Sequence, residues 1–330
     1  MAQFKTRARA LDLLGRQQIA GIPTAINELI KNAHDAYADH FDIDFLRKSN
    51  MLILRDDGIG MSQKDFLDRW LTLGTDSKVN TNNNVLPPTD PTKSQRPIMG
   101  EKGIGRLAIA SIGSQVLILT KAKFDSLSKI VATFISWDIF ELTGLNIDDV
   151  VIPVKEFDSI PTEEDINLLK AECVNSLKTL NEKGKVCVAD YQRIVNLINN
   201  FKSNLDEIYS VIGGNTFIQK GGTHFFVSPV SESLISDIEG DGDSNEATKM
   251  EKMLMGFHNT MTPNHPVPTI DITFRDYRYD DGTFVSLLEE KQFFTPEEFE
   301  IATILKVDLM NLDSLKVQLE SMVRKHTITL

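Results

Sequence analysis

The chain of 330 residues is long enough for two domains, or for one domain with a large insertion. Its 41% hydrophobic content suffices for a buried core, and its net charge of −12 disfavours a broad electrostatic surface for DNA, RNA or anionic lipid. The sequence has no long apolar run and no apolar signal segment at its start, so we expect a protein that does not enter a membrane. Its two cysteines form no Cys-x-x-Cys pair, and reduced thiols fit a cytoplasmic protein.

A helix over residues 24–38, preceded by a short amphipathic helix over 6–20, carries the first functional pattern. Glu28, Asn32 and Asp35 are separated by four and three residues, so they lie on one face of the helix. The Asn32 carboxamide can ligate Mg²⁺, and the Glu28 carboxylate, one turn away, can deprotonate a water molecule. An ordinary surface helix would show the same spacing, so this pattern alone leaves both interpretations open.

A strand is predicted at residues 51–55, and an acidic turn with two glycines follows it directly. An acid at the end of a strand, here Asp56, can accept a hydrogen bond from the exocyclic amine of a purine. Gly58 and Gly60 would let the backbone approach the base, and Met61 could pack on an aromatic ring. Because Asp-Gly is also a common turn signal, a plain turn remains the alternative.

A helix is predicted over residues 62–73, and a loop rich in Asn, Thr and Pro over residues 75–99. Few apolar side chains in this loop predict a mobile segment between ordered elements. A glycine-rich turn then opens a helix over about 104–112, with Lys102 and Arg106 close by. Glycines at a helix N-terminus expose N–H groups to an anion, but the spacing matches neither the dinucleotide fingerprint nor a Walker A loop. This turn is weak evidence by itself.

The remaining pattern predicts strands at 116–120, 130–137 and 223–228, an inserted helical hairpin over 162–211, an acidic linker over 239–249, and a hairpin formed by 269–275 and 283–288. Thr295 predicts the start of a closing helix, and the last six residues resemble an interrupted strand. We therefore expect a first domain over residues 1–238, with a lid at about 75–103 and an insertion at about 160–212. A linker and a transducer-like coupling region would occupy residues 239–330.

The three motifs occur in order, each on the element that its chemistry requires, and together they resemble the GHKL superfamily of Bergerat-fold ATPases. This superfamily includes gyrase B, the heat-shock-ninety chaperones, MutL, MORC proteins and histidine kinases. Residues 28–36 resemble its N box, 56–61 its first glycine box, 100–105 its second, and Gly222-Thr223 its later Gly-Thr element. The resemblance covers roughly residues 20–230. It implies an α+β fold, a two-layer sandwich of a mixed sheet with helices on one face, a helical insertion and a C-terminal α/β extension.

The resemblance also implies a role for each matching residue. Glu28 would be the general base, and Asn32 would ligate the Mg²⁺ that bridges the phosphates. Asp56 would bind the adenine amine, with support from Thr223 through hydroxyl and water contacts. Lys78 would reach a phosphate from the lid, although a solvated loop lysine is an equal alternative. Further nucleotide contacts are implied for Asp35, Ala36, Gly58, Gly60, Met61, Gly100, Lys102, Gly103, Ile104, Gly105 and Arg106.

The implied function is Mg-dependent binding and hydrolysis of ATP, which releases ADP. ATP would close the lid and promote a homodimer through the N-terminal domain, while the region after residue 250 would pass this change to a partner or further domains. Histidine-kinase-type phosphotransfer is one alternative, but none of the 27 residues before Glu28 is a histidine, so the acceptor would have to lie on another chain. A nucleotide-switched interaction module with little hydrolysis is another, and the presence of Glu28 and Asn32 argues against it. The motifs leave open whether the client is a protein or DNA.

Overall fold

An eight-stranded mixed β-sheet runs through the computed structural model. The structure describes residues 5–73, 93–94, 96, 98–100, 105–125, 127–213, 221–240, 247–259, 270–279 and 282–287. The strands are β1 His40–Leu46, β2 Met51–Asp56, β3 Gln115–Lys121, β4 Ile130–Ser136, β5 Val154–Phe157, β6 Gly222–Val227, β7 Asp271–Tyr277 and β8 Val285–Ser286.

The order of the strands across the sheet is β5-β4-β3-β6-β2-β1-β7-β8. All neighbouring pairs are antiparallel except β1 and β7, which are parallel. Strand β6 therefore lies between β2 and β3, although it follows both by a long stretch of chain. Its register places Thr223 opposite Asp56 on one side and opposite Thr120 on the other.

The described α-helices are α1 Arg9–Asp12, α2 Ile22–Asp35, α3 Gln63–Asp65, α4 Ile109–Ile112, α5 Asp138–Glu141, α6 Glu163–Glu182, α7 Val188–Asn200, α8 Leu205–Val211, α9 Ser233–Glu239 and α10 Lys249–Asn259. Two π-helical turns, Leu13–Gln17 and Phe66–Trp70, extend α1 and α3. Short 3₁₀ turns occupy Gly105–Ala108 and Ile147–Asp149. The helix predicted over 104–112 is thus one 3₁₀ turn followed by α4.

Helix α2 has clear local reasons to start where it does and to bury one side. Gly21 takes a φ of 88° just before the helix, and Pro23 lies in the first turn, where its missing N–H is not needed. The buried side consists of Ile22, Ala25, Ile26, Leu29, Ile30 and Ala33. Glu28 and Asn32 remain partly exposed on the other side, as the periodicity predicts.

Helices lie on both faces of the sheet, and not on one face as the resemblance implied, because the helical insertion covers the second face. Adjacent residues of a strand point to opposite faces, and a side chain at Gly58 would contact both Asp56 and Ala36, the residue that ends α2. On the opposite face, the Nδ1 atom of His224 in β6 lies 2.8 Å from the hydroxyl oxygen of Tyr209 in α8. Helix α2 therefore packs on one face, and the insertion packs on the other.

The insertion contains three helices, α6, α7 and α8, rather than the predicted hairpin. The hairpin prediction was wrong because the polar stretch between α7 and α8 breaks the helix: Asn204 caps α8 with its side chain. A ring contact between Phe134 of β4 and Phe201, with centroids 5.1 Å apart, attaches the insertion to the sheet.

The predicted α+β fold class is confirmed, and most predicted strands lie within two residues of their observed bounds. Strands β1 and β5 were not predicted. The expected hairpin is formed by β7 and β8, and β7 pairs with β1, so the chain beyond the acidic linker returns to the central sheet. The domain division at 239–249 stays a prediction, and the helix expected from Thr295 lies outside the described residues.

Candidate functional site

The carboxylate of Asp56 lies at the end of β2 and is almost fully enclosed. The residue is 8% exposed, and Gly58 N donates a hydrogen bond to its Oδ1 at 3.0 Å. Burial is the main cause that raises the pKa of Asp56 to about 7; the charge of Asp57 adds to the rise, and the N–H groups of Gly58 and Thr223 oppose it. Asp56 is therefore a buried acid that changes its charge near neutral pH.

Polar groups from three chain segments meet around Thr120, a buried residue of β3. The Thr120 hydroxyl donates to the carbonyl of Gly222 at 3.0 Å and lies 3.0 Å from the Thr223 hydroxyl. It also accepts a hydrogen bond from Met61 N at 3.0 Å. Thr223 therefore reaches Asp56 through its backbone N–H, while its hydroxyl contacts Thr120. Sequence reasoning missed Thr120; its signal was a single hydroxyl at the end of an apolar strand.

Two glycines allow the chain segments of this cluster to approach each other closely. Gly60 has a φ of 59°, and a Cβ there would overlap the carbonyl oxygen of Lys121. Gly222 has a φ of 135°, and a Cβ there would overlap the carbonyl oxygen of Asp56. Both positions combine a left-handed backbone with backbone contact, so only glycine fits them without distortion.

The first glycine box is attached to the end of α2. Ile59 N donates to the carbonyl of Ala36 at 2.9 Å. The Asp57 carboxylate accepts N–H groups from Asp39 at 2.7 Å and His40 at 2.9 Å. The two adjacent acids thus have different roles: Asp57 ties two loops together, whereas Asp56 faces the buried cluster.

The polar face of α2 contacts the second glycine box at Glu28. One oxygen of this carboxylate, Oε1, accepts a hydrogen bond from Lys31 Nζ at 2.8 Å. The other oxygen lies against Gly105, because a Cβ placed on that glycine would be 2.8 Å from Glu28 Oε2. Asn32 lies one turn further along the same face. The structure therefore brings Glu28 and Gly105 together, although they are far apart in the sequence.

Asp35 makes a second connection between α2 and this glycine box. Its two oxygens accept hydrogen bonds from Met99 N at 2.8 Å and Gly100 N at 3.0 Å. A carboxylate that binds two consecutive backbone N–H groups holds that segment in one orientation. In this structure Asp35 positions the glycine box.

Two basic residues that sequence reasoning missed secure the same segment. Arg96 is 4% exposed and donates to the carbonyl of Ala38 at 2.6 Å, and its guanidinium lies 5.6 Å from the ring centroid of Tyr37. Lys93 donates to the carbonyl of Tyr37 at 2.8 Å and to Asp39 at 2.6 Å. Both lie in a polar loop whose composition carries no signal of a buried contact.

Arg106, expected at the phosphates, donates to the carbonyl of Thr72. Its burial lowers the pKa of the guanidinium, which stays protonated. The contact joins the second glycine box to the chain segment that leads into the expected lid. Four further expected nucleotide contacts lie outside the described residues, as does most of the expected lid: Lys78, Lys102, Gly103 and Ile104.

Helix α2 thus contacts both glycine boxes. Asp56, Thr120 and Thr223 form a buried cluster at the ends of β2, β3 and β6. Residues 21–157, from the start of α2 to the end of β5, match a family model described as "Histidine kinase-, DNA gyrase B-, and HSP90-like ATPase". Residues 21–157 belong to the GHKL superfamily. The GHKL assignment supports ATP binding by this chain.

A curated relative of the GHKL domain agrees with this assignment. The chain is 27% identical over 137 residues to the chaperone protein HtpG of Wolinella succinogenes, a match that covers 36% of this chain and 22% of HtpG. The match spans about a fifth of the relative, so it concerns the shared domain. Within the residues that the structure describes, no helix is both long and apolar enough to cross a membrane.

Proposed function

We propose that this GHKL domain binds ATP together with Mg²⁺ and hydrolyses it to ADP and phosphate. The observation that carries the proposal is the position of Glu28: its carboxylate oxygen Oε2 lies against Gly105, at the start of the helix that follows the second glycine box. A carboxylate beside a phosphate-binding glycine segment can take a proton from an attacking water molecule. The family assignment supports nucleotide binding at this place.

Asp56 would recognise the adenine base. Its ionised carboxylate would accept a hydrogen bond from the exocyclic amine, while Thr120 and Thr223 would hold the strands beside it in register. Because the cluster is buried, a lost hydrogen bond there would be expensive, which favours adenine over bases that lack the amine.

The donor set on α2 fits a nucleotide-borne Mg²⁺. Magnesium prefers oxygen ligands and usually keeps several waters, taking few ligands from the protein and others from phosphates. Asn32 offers one carboxamide oxygen on the same face as Glu28. When bound, the ion would neutralise charge on the phosphates. In the described part of the chain, no three His, Cys, Asp or Glu side chains are grouped as in a protein-bound metal centre.

The groups of this chain that would act in the chemical step lie on α2 and in the second glycine box. Glu28 would accept a proton from water while the water oxygen forms a bond to the γ-phosphorus and the bond to the ADP oxygen breaks. The N–H groups near Gly100 and Gly105 would orient the phosphates. Asp35 would hold Gly100 in position through the two hydrogen bonds described above.

We further propose that ATP closes the segment at 75–103 over the pocket, that closure promotes a homodimer, and that the region after residue 239 transmits the change to a cytoplasmic partner. Support comes from the superfamily and from the firm attachment of Lys93, Arg96 and Gly100, which would form the fixed end of such a lid.

Calorimetric titration with ATP, with and without Mg²⁺, and a phosphate-release assay test the proposal. We expect ATP binding, Mg-dependent phosphate release, and loss of both in Asp56→Ala. An absence of ATP binding by the wild-type protein would refute the proposed function. ATP binding without phosphate release, in a dimer as well as in a monomer, would favour the nucleotide-switched module instead.

A further inference from the structure

Lys31 lies three residues after Glu28 on α2, and its side chain contacts the proposed general base directly. The ammonium nitrogen is 2.8 Å from Glu28 Oε1, and the side chains of Lys31 and Glu28 are only 25% and 28% exposed. The opposite oxygen, Oε2, faces Gly105. The two oxygens of one carboxylate therefore have different surroundings: a cation on one side and the glycine segment on the other.

We propose that Lys31 is a positioning residue for ATP hydrolysis: it holds Glu28 Oε1, so that Oε2 faces the second glycine box as the proton acceptor. The inference rests on the proposed function, and it assigns a role that the motif comparison did not give to this lysine. A partly exposed glutamate has several accessible rotamers. A charge-assisted hydrogen bond to one oxygen selects among these rotamers without occupying the oxygen that must react.

The charge of Lys31 offers a second reason for its position. Glu28, Asp35, Asp56 and Asp57 all lie on the segments that form the site. A triphosphate would bring several more negative charges close to Glu28, and like charges repel strongly in a partly buried site. An ammonium group in contact with Glu28 offsets this repulsion next to the base.

Helical Glu–Lys pairs are common on protein surfaces, where they have little effect. The chain contains such a pair in Lys178 and Glu182 of α6, with a separation of 3.9 Å and side chains that are 60% and 63% exposed. The Lys31–Glu28 pair is shorter and less exposed than this surface pair. Lys178 therefore provides a matched control within the same molecule.

The test compares Lys31→Gln, Lys31→Arg and the control Lys178→Gln in the full chain, using phosphate release for kcat and KM. Calorimetry with Mg²⁺ and ATP on the Glu28→Gln background, with and without Lys31→Gln, measures affinity without turnover. Thermal melting followed by circular dichroism verifies that every variant is folded.

We expect Lys31→Gln to lower kcat by about tenfold or more and to change the ATP affinity by less than about twofold. Lys31→Arg keeps the cation and should recover activity to within about threefold of the wild type. The double variant Lys31→Gln/Glu28→Gln should be no slower than Glu28→Gln alone, because Lys31 acts through Glu28.

Equal kcat values for Lys31→Gln and Lys178→Gln would overturn the inference and leave the proposed function standing. A large loss of ATP affinity in Lys31→Gln, additive with Glu28→Gln, would also overturn it, because Lys31 would then contact the phosphates itself. A wild-type protein that does not hydrolyse ATP, and that Glu28→Gln does not change, would overturn both proposals.

Discussion

The raised pKa of Asp56 predicts that ATP affinity falls as the pH is lowered from 8 to 6. Burial raises this pKa to about 7 in the free protein, whereas an aspartate in water titrates near 4. The adenine amine is a hydrogen-bond donor, and an ionised carboxylate accepts its hydrogen bond more strongly than the neutral acid does. Protonation of Asp56 therefore weakens ATP binding, so the affinity should fall as the pH falls.

The magnitude follows from the fraction of protein in which Asp56 is ionised. With a pKa of about 7, about nine-tenths of the protein is ionised at pH 8, half at pH 7 and about one-tenth at pH 6. Because apparent affinity scales with the competent fraction, Kd should rise by up to about tenfold between pH 8 and pH 6, and the full factor applies if only the ionised acid binds ATP. This change corresponds to about 1.4 kcal/mol.

Isothermal calorimetry at pH 6, 7 and 8 with saturating Mg²⁺ measures the effect, and Asp56→Asn is the matched control. Asparagine has a similar shape and cannot titrate, so its weaker ATP binding should be nearly independent of pH. An affinity that rises as the pH falls would show that the neutral acid binds the base, and would refute the reasoning. A flat profile in the wild type would refute it equally.

The same ionisation predicts a stability effect in the nucleotide-free protein. A carboxyl group whose pKa is raised on folding contributes stability that is fully present below its unfolded value, 3.8, and is lost as the pH rises through about 7. Asp56→Asn removes the buried charge, so at pH 8 the free energy of unfolding should increase, by about 4 kcal/mol at most. Urea unfolding of the wild type and Asp56→Asn at pH 5 and pH 8 would measure this increase in the free energy of unfolding. An increase at pH 5 that equals or exceeds the one at pH 8 would contradict the raised pKa of Asp56.

Two further predictions concern α2 and its contacts. Glu28→Ala should keep ATP affinity within about threefold of the wild type and lower turnover by about 10²–10⁴-fold. The control Glu182→Ala on α6 should change neither affinity nor turnover. Equal turnover in the wild type and Glu28→Ala would exclude Glu28 as the base. Arg96→Ala should destabilise the fold by about 2–3 kcal/mol in urea unfolding, because it leaves the Ala38 carbonyl without its donor. The exposed Arg69, paired with Asp65 at 3.5 Å, is the control, and an equal effect of Arg69→Ala would contradict the role of Arg96.

The outline of the fold could be predicted because its strongest signals are local. The apolar runs of β2, β3, β4 and β6, and the periodicity of α2, depend only on residues that are near each other in the sequence. Strand β1 was missed although Phe41, Ile43 and Phe45 alternate with Asp42 and Asp44 at the period of a strand, because aspartate is rare in strands. The structure explains these acids: Arg55 donates to Asp44 at 2.8 Å from the neighbouring strand, and Arg275 does so at 2.6 Å. Partners that distant cannot be identified from a local pattern.

By itself, the sequence determined which chemical groups the domain possesses and their order along the chain: Glu28 and Asn32 on one helix face, Asp56 at a strand end, and glycines before Arg106. These assignments rest on helix periodicity and residue type, which are local properties. The sequence assigned the adenine contact to Asp56 rather than to its neighbour Asp57, and this assignment stays a prediction.

Only the tertiary structure decided the partners of these groups. The insertion of β6 between β2 and β3 brings Thr223 and Thr120 next to Asp56, and Glu28 meets Gly105 only because α2 packs against the 3₁₀ turn at Gly105–Ala108. The burial that raises the pKa of Asp56 and the contact of Lys31 with Glu28 likewise depend on packing. Burial and hydrogen-bond partners are set by segments that are distant in sequence, and their effect on charge exists only once the chain has folded.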